Sequence, residues 1–247
     1  MFTYTDAEKK LMPLMFCILI AITILLWLLL RKRSERWQNL PFQVIAVSLT
    51  VGEIIKQVIS IKNGYNYWHL PLHFCSTYFI WFFIAEFFVG KMQKTMRNVS
   101  FVATLYLFIA MYSYPQGVLS KVCDDVFKSY FTAYSFFFHH LAILYLMLTI
   151  AFKRFHPQKR DAWTWMICFG CYFAVATVCA YKFNKNFFGI LNGNLLPILE
   201  PIRLKIGQFW YDAGLAFVLI FFGAGVMFFS ALIADLVKKI KNRQSNT

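Results

Sequence analysis

The stretch WHLPLHFC, residues 68–75, places two imidazoles and a thiol where an apolar run begins. A thiol beside an imidazole is the standard nucleophile–base arrangement of covalent catalysis. We expect Pro71 at the first position of a helix, where its missing N–H is not needed, with His73 in the first turn and Cys75 just beyond it. The positive end of the helix dipole would then favour a thiolate at Cys75. Two helical residues lie ~200° apart, so His73 and Cys75 should not face each other, and the base must come from elsewhere.

The pair His139 and His140, in SFFFHHLAILY, is the candidate source of that base. Adjacent helical positions point ~100° apart, so at least one imidazole should face the interior of a bundle. Either one could act as a general base, relay a proton or bind a headgroup. The alternative is a structural hydrogen bond at each.

Glu53, Lys56 and Gln57 have the i, i+3 and i+4 spacing that puts three side chains on one helical face. Charged groups within an apolar run usually face a bundle interior or water. The three residues are either a structural ion pair or the polar, substrate-binding wall of a cavity. A zinc-like set of Glu53, His73 and one residue of the histidine pair has no local ligand spacing to support it. We therefore predict no metal site and no cofactor.

Further polar candidates lie near the C-terminal end. Arg203 and Lys205 could hold a lipid phosphate. Asp212 follows QFWY and is either a helix cap or a second substrate contact.

The composition shows which elements must position these residues. The chain has 247 residues, of which 60% are hydrophobic and 15% charged, and runs of ~20 apolar residues recur along it. This predicts an all-α, multi-pass protein with a single membrane domain over residues 1–247. We expect seven transmembrane helices, at about residues 11–30, 40–61, 70–90, 97–114, 130–152, 162–183 and 209–235.

Charge predicts the orientation of these helices. The net charge is +14, and most basic residues lie after spans one, three and five and in the C-terminal tail. By the positive-inside rule, we expect the N-terminus on the outer side of the cell membrane and the C-terminus on its inner side. Anionic lipid headgroups, rather than nucleic acid, are the expected partners of this charge.

In that orientation, His73, Glu53 and His139 lie ~5 to 14 Å below the outer ends of their spans. They would share the outer half of the membrane, beneath the longest outer loop, in which residues 187–208 are a candidate lid. We expect a common polar pocket that opens outward.

The order of four motifs resembles a known family. LPLHFC at 70–75, the histidine pair, NFFGILNGNLLPILEP at 186–201 and GQFWYDAG at 207–214 are together similar to the YwaF-type integral membrane proteins of bacteria. Their distant eukaryotic relatives are lipid acyltransferases with a catalytic cysteine and histidine. The resemblance implies Cys75 as nucleophile and His139 or His140 as base. It further implies His73 and Asn192 as substrate contacts.

Three functions follow as hypotheses. The first is acyl transfer between membrane lipids by a Cys/His site. The second is a small-molecule or proton-coupled transporter, or a ligand-binding heptahelical protein, in which Glu53, Lys56 and the histidines form the path. The third is a scaffold without a ligand.

Overall fold

The computed structural model describes residues 4–193 and 199–244, and these ranges are 83% helical with no strand. The expectation of an all-α protein is confirmed. The α-helices within the described ranges are α1 (Asp6–Leu30), α2 (Glu35–Lys62), α3 (Tyr78–Phe87), α4 (Gly90–Ser113), α5 (Pro115–Leu119), α6 (Tyr130–Ala151), α7 (Lys159–Phe183), α8 (Leu199–Ile206) and α9 (Gln208–Gln244).

Five of these helices are long and apolar enough to cross a membrane: α1, α2, α6, α7 and α9. They match the first, second, fifth, sixth and seventh predicted spans. Local sequence explains where two of them begin. Thr5 and Glu8 form a reciprocal capping box at the start of α1, and Ser129 and Thr132 form another at the start of α6.

The third predicted span, 70–90, differs from the expectation. Its α-helix begins only at Tyr78 and is ten residues long, so Pro71 does not occupy a first helical position. Leu70 is extended, as the residue before a proline usually is. Short 3-10 turns at Tyr67–His69 and Cys75–Thr77 take the place of the missing helix. The prediction that His73 lies in the first turn of an α-helix is therefore wrong.

The fourth predicted span, 97–114, corresponds to a longer helix than expected. α4 begins at Gly90, whose φ of +74° turns the chain after α3. With 24 residues, α4 is long enough to cross a membrane. It is less apolar than the five helices above because its first turns carry Lys91, Lys94 and Arg97.

The core is organised around α6, which packs against α1, α2 and α4. In its most apolar window 61% of the residues are buried, against 6% for α1. α3 lies between α2 and α4, and α7 pairs with α9. We call the end of the bundle where α2 and α7 terminate and α6 and α9 begin the Lys62 end.

Opposite the Lys62 end, a buried ionic network joins three helices. The Glu86 carboxylate of α3 lies 3.2 Å from Nη2 of Arg97 in α4 and 2.7 Å from Nη2 of Arg154, just beyond α6. It also accepts a 2.7 Å hydrogen bond from the Tyr145 hydroxyl of α6. The Glu86 side chain is 0% exposed, so these partners must compensate its charge.

Candidate functional site

A buried ion pair forms the centre of the candidate site. Nζ of Lys56 lies 2.8 Å from Oε1 of Glu53, and the two side chains are 9% and 3% exposed. Nε2 of Gln57 donates a 2.7 Å hydrogen bond to the same carboxylate. The i, i+3 and i+4 spacing predicts that these three side chains share one face of α2, and their contacts with one another confirm it.

Tyr134 of α6 provides a further hydrogen bond to Glu53. Its hydroxyl donates a 2.6 Å hydrogen bond to Oε2, and Lys56 Nζ lies 5.3 Å from the centre of its ring. One turn earlier, the Tyr130 hydroxyl donates to the Gly52 carbonyl at 2.8 Å. Sequence reasoning missed both tyrosines, because they lie in an aromatic run that gives no reason to single them out.

Gln57 and Ser60 connect α2 to residues 63–77, which precede α3 and which we call the irregular segment. Nε2 of Gln57 donates to the His69 carbonyl at 2.7 Å, and Oγ of Ser60 lies 2.8 Å from His69 Nδ1. The Tyr65 hydroxyl donates to Oε1 of Gln57 at 2.8 Å. Partial burial and, after it, the charge of Lys56 lower the pKa of His69 below its ordinary value.

His73 lies in the irregular segment, between aromatic rings. Its ring centre is 4.4 Å from that of Trp68 and 5.3 Å from that of Phe187. Nε2 is buried and has no hydrogen-bond partner among the described residues. The charge of Lys56 acts electrostatically on this imidazole, and so does His139.

His139 and His140 differ in their surroundings. Nδ1 of His139 bonds the Ser135 carbonyl at 2.5 Å, and Nδ1 of His140 bonds the Phe136 carbonyl at 2.7 Å. Since a carbonyl only accepts, each Nδ1 carries the hydrogen and each Nε2 presents a lone pair. Both Nε2 atoms are buried without a partner in the described part of the chain. The charge of Lys56 acts electrostatically on His139, whereas His140 interacts in this way with His139.

Cys75 begins the 3-10 turn that leads into α3, and its thiol is free. The electrostatic neighbours of this thiol include Lys56 of α2, Tyr134 of α6 and Tyr172 of α7. The predicted stabilisation by an α-helix N-terminus is wrong, because α3 starts three residues later. A lysine ammonium is the nearby positive charge instead.

The remaining candidates form a second network around α8. Arg203 is paired with Glu200 through hydrogen bonds of 3.0 and 2.6 Å. This pairing, with a hydrogen bond from the Gly193 N–H, lowers the pKa of Glu200 to about 2. Arg203 also donates to Gln208 at 3.0 Å, and Gln208 donates to Asp212 at 2.8 Å. Arg203 is thus already neutralised within the chain.

The structure corrects one prediction for this region. Asp212 is not a helix cap, since α9 begins four residues earlier. Asn192 accepts a 2.6 Å hydrogen bond from Asn186, and its role as a substrate contact stays a prediction. Of the candidate lid at 187–208, residues 194–198 lie outside the described residues, whereas Phe187 contacts His73.

A groove of about 220 Å³ runs between α2 and α6 beside the ion pair. Tyr134 forms part of its wall, with Leu49, Phe137 and Leu141. Within residues 4–193 and 199–244, no three His, Cys, Asp or Glu side chains are grouped as ligands for a metal ion. The site thus combines a thiol, two imidazoles, an ion pair and an apolar groove.

Comparison with known proteins places the whole chain in a family. No curated protein and no solved structure matches it. A family model described as the TMEM164 family matches residues 3–232, which is nearly the full length. The chain therefore belongs to the TMEM164 family, a family of membrane proteins.

Proposed function

We propose that this protein crosses the cell membrane seven times, with its N-terminus outside. The five long apolar helices account for five crossings. α4, with 24 residues, is ~36 Å long and exceeds the ~30 Å of the hydrocarbon layer. α3 and the irregular segment before it make the remaining crossing. Non-helical backbone at membrane depth is tolerated where it packs on protein, as it does here on α2 and α7.

The proposed activity is acyl transfer between membrane lipids, in keeping with the similarity of the motifs to YwaF-type proteins and their acyltransferase relatives. The observation that supports it is that the charge of Lys56 acts electrostatically on the Cys75 thiol and on the His73 and His139 imidazoles. A thiol, a base with a free lone pair and a fixed positive charge are the groups that acyl transfer needs.

In the first half-reaction, Nε2 of His139 takes the thiol proton and Cys75 Sγ attacks the ester carbonyl of a donor lipid. The carbon–oxygen ester bond breaks, the lysolipid oxygen takes the proton from His139, and the acyl group remains on Cys75 as a thioester. The Lys56 ammonium stabilises the negative charge that passes from sulfur to the carbonyl oxygen.

In the second half-reaction, His139 takes the proton of an acceptor lipid hydroxyl, whose oxygen attacks the thioester. The carbon–sulfur bond breaks, the acyl group leaves as a new ester, and the thiolate recovers the proton. His73 contacts the lipid through its free Nε2, and Glu53 holds Lys56 in place.

The test uses the purified protein in vesicles that contain a phosphatidylcholine donor and a lysophospholipid acceptor with a labelled headgroup. We expect mass spectrometry to detect the transferred chain on the acceptor, and a hydroxylamine-sensitive acyl group on the protein. Cys75→Ala should abolish both, while Cys179→Ala, another half-buried thiol, should keep both.

Transfer that persists in Cys75→Ala would exclude the proposed nucleophile. The second candidate, proton-coupled transport, is favoured by the buried Glu53–Lys56 pair and by the buried Nε2 atoms of His73, His139 and His140, which have no hydrogen-bond partner among the described residues. Transport would survive Cys75→Ala, which abolishes acyl transfer, so this variant separates the two hypotheses.

A further inference from the structure

A second groove, of about 550 Å³, lies between α7 and α9 at the Lys62 end of the bundle. Its volume falls within the ~300–1,000 Å³ typical of small-molecule sites. Its lining includes Phe173, Thr177, Tyr181, Gln208, Asp212 and Ala216.

The groove is polar at its mouth and apolar below. At the mouth, Asp212 accepts hydrogen bonds from the Tyr181 hydroxyl at 2.7 Å and from Nε2 of Gln208 at 2.8 Å. Phe173 and Ala216 form the deeper part. Ala216 is eight residues from Gln208, which corresponds to a depth of ~12 Å. This order of polarity matches a lipid that lies with its headgroup at the mouth.

Thr177 marks the level at which the polarity changes. Its Oγ1 is buried and has no hydrogen-bond partner among the described residues. Thr177 lies one helical turn, ~6 Å, below Tyr181. An unsatisfied buried hydroxyl is costly, and a bound carbonyl oxygen at this depth would accept its hydrogen. The ester groups of a lipid lie at such a level, between headgroup and chains.

The surroundings of the groove determine what can enter it. α7 and α9 are both long and apolar enough to span the membrane. Beside the mouth, Phe209 and Trp210 are 74% and 66% exposed, as aromatic side chains at a membrane interface commonly are. A groove between two such helices faces lipid rather than water along its depth.

We propose that the α7–α9 groove binds one acyl chain of a membrane lipid, with the ester carbonyl at Thr177 and the headgroup at Asp212. Binding here does not depend on the acyl-transfer reaction. The groove nevertheless adjoins the candidate site, because Tyr172, next to Phe173, donates a 2.9 Å hydrogen bond to the Leu72 carbonyl. α7 thus separates a docked lipid from the segment that carries Cys75.

The test uses the full-length protein in phosphatidylcholine vesicles with a small fraction of phosphatidylcholine that carries a diazirine in one acyl chain. After irradiation, labelled peptides are identified by mass spectrometry. We expect label to concentrate on the groove faces of α7 and α9 and to fall severalfold in Ala216→Trp, which fills the groove. Ala174→Trp, on the exposed face of α7, is the matched control and should label as the parent does.

A second variant tests the hydrogen bond separately. Thr177→Val should reduce labelling by the ester-linked probe severalfold and leave labelling by an ether-linked probe, which lacks the carbonyl, unchanged. Even labelling of all lipid-facing helices, with no effect of Ala216→Trp, would mean non-specific lipid contact and would overturn the proposal. Labelling should persist in Cys75→Ala, so failure of the proposed reaction would not be mistaken for failure of the groove.

Discussion

At the scale of residues, the site depends on how one buried carboxylate is satisfied. Glu53 pairs with Lys56 and accepts hydrogen bonds from Gln57 and Tyr134. Charges removed from water are tolerated only when such partners surround them. The three α2 residues could be predicted because helical spacing alone puts them on one face. Tyr134 could not, because its contact depends on how α6 docks against α2.

Replacing Tyr134 with Phe removes the hydrogen bond to the Glu53 carboxylate. Hydrogen bonds to charged groups contribute about 1.5–3 kcal/mol, so we expect the free energy of unfolding to fall by that amount. The measurement is denaturant unfolding of the purified protein in detergent. Tyr130→Phe is the matched control, since its hydroxyl bonds the neutral Gly52 carbonyl, and should cost about 0.5–1.5 kcal/mol. Equal losses in the two variants would mean that the Glu53 contact has no special weight.

The histidine pair likewise shows that helical spacing does not predict contacts between helices. Its members are adjacent on α6, and helical spacing alone does not distinguish between them. The charge of Lys56 acts on His139, and this interaction depends on how α6 docks against α2. The role of His73 as a substrate contact stays a prediction, and its local conformation differs from the expected helix.

At the scale of elements, the apolar runs were sufficient to predict the five long apolar helices, but not the start of α3. The carbonyls of residues 69 and 72 accept hydrogen bonds from Gln57 and Tyr172, which lie far apart in sequence. These tertiary bonds satisfy the backbone without a helix, so local propensity does not determine its conformation. The irregular segment is held by its neighbours.

The ionic network that joins α3, α4 and α6 leads to a prediction about stability. Glu86→Ala would leave the buried Arg97 and Arg154 without their carboxylate, and breaking a buried pair in this way costs about 3–5 kcal/mol. Unfolding in detergent measures this loss. The exposed pair of Asp6 and Lys9 is the control, and Asp6→Ala should cost less than about 1 kcal/mol. A similar small cost for Glu86→Ala would show that the network does not hold the helices together.

At the scale of the whole molecule, the family match and the apolar helices agree on a multi-pass membrane protein. Sequence composition was sufficient for this because a chain with such long apolar runs has no soluble alternative. The number of crossings was harder to predict, since α3 is short and α4 starts with basic residues.

Orientation can be tested with single cysteines at the two ends of the chain. In a background without the native cysteines, a membrane-impermeant maleimide added to intact cells should label Asp6→Cys and not Lys238→Cys. After the membrane is permeabilised, both should be labelled. Labelling of both positions in intact cells would place the termini on one side and would require an even number of crossings.

The shortness of α3 has a consequence for the proposed chemistry. Ten residues of helix rise ~15 Å, about half of a ~30 Å hydrocarbon layer. The irregular segment must therefore cross the other half, and we expect water that enters along it from the Lys62 end to reach Cys75. A thioester formed there would meet water as well as an acceptor lipid. The ratio of released fatty acid to remodelled lipid would then depend on the length of this one helix.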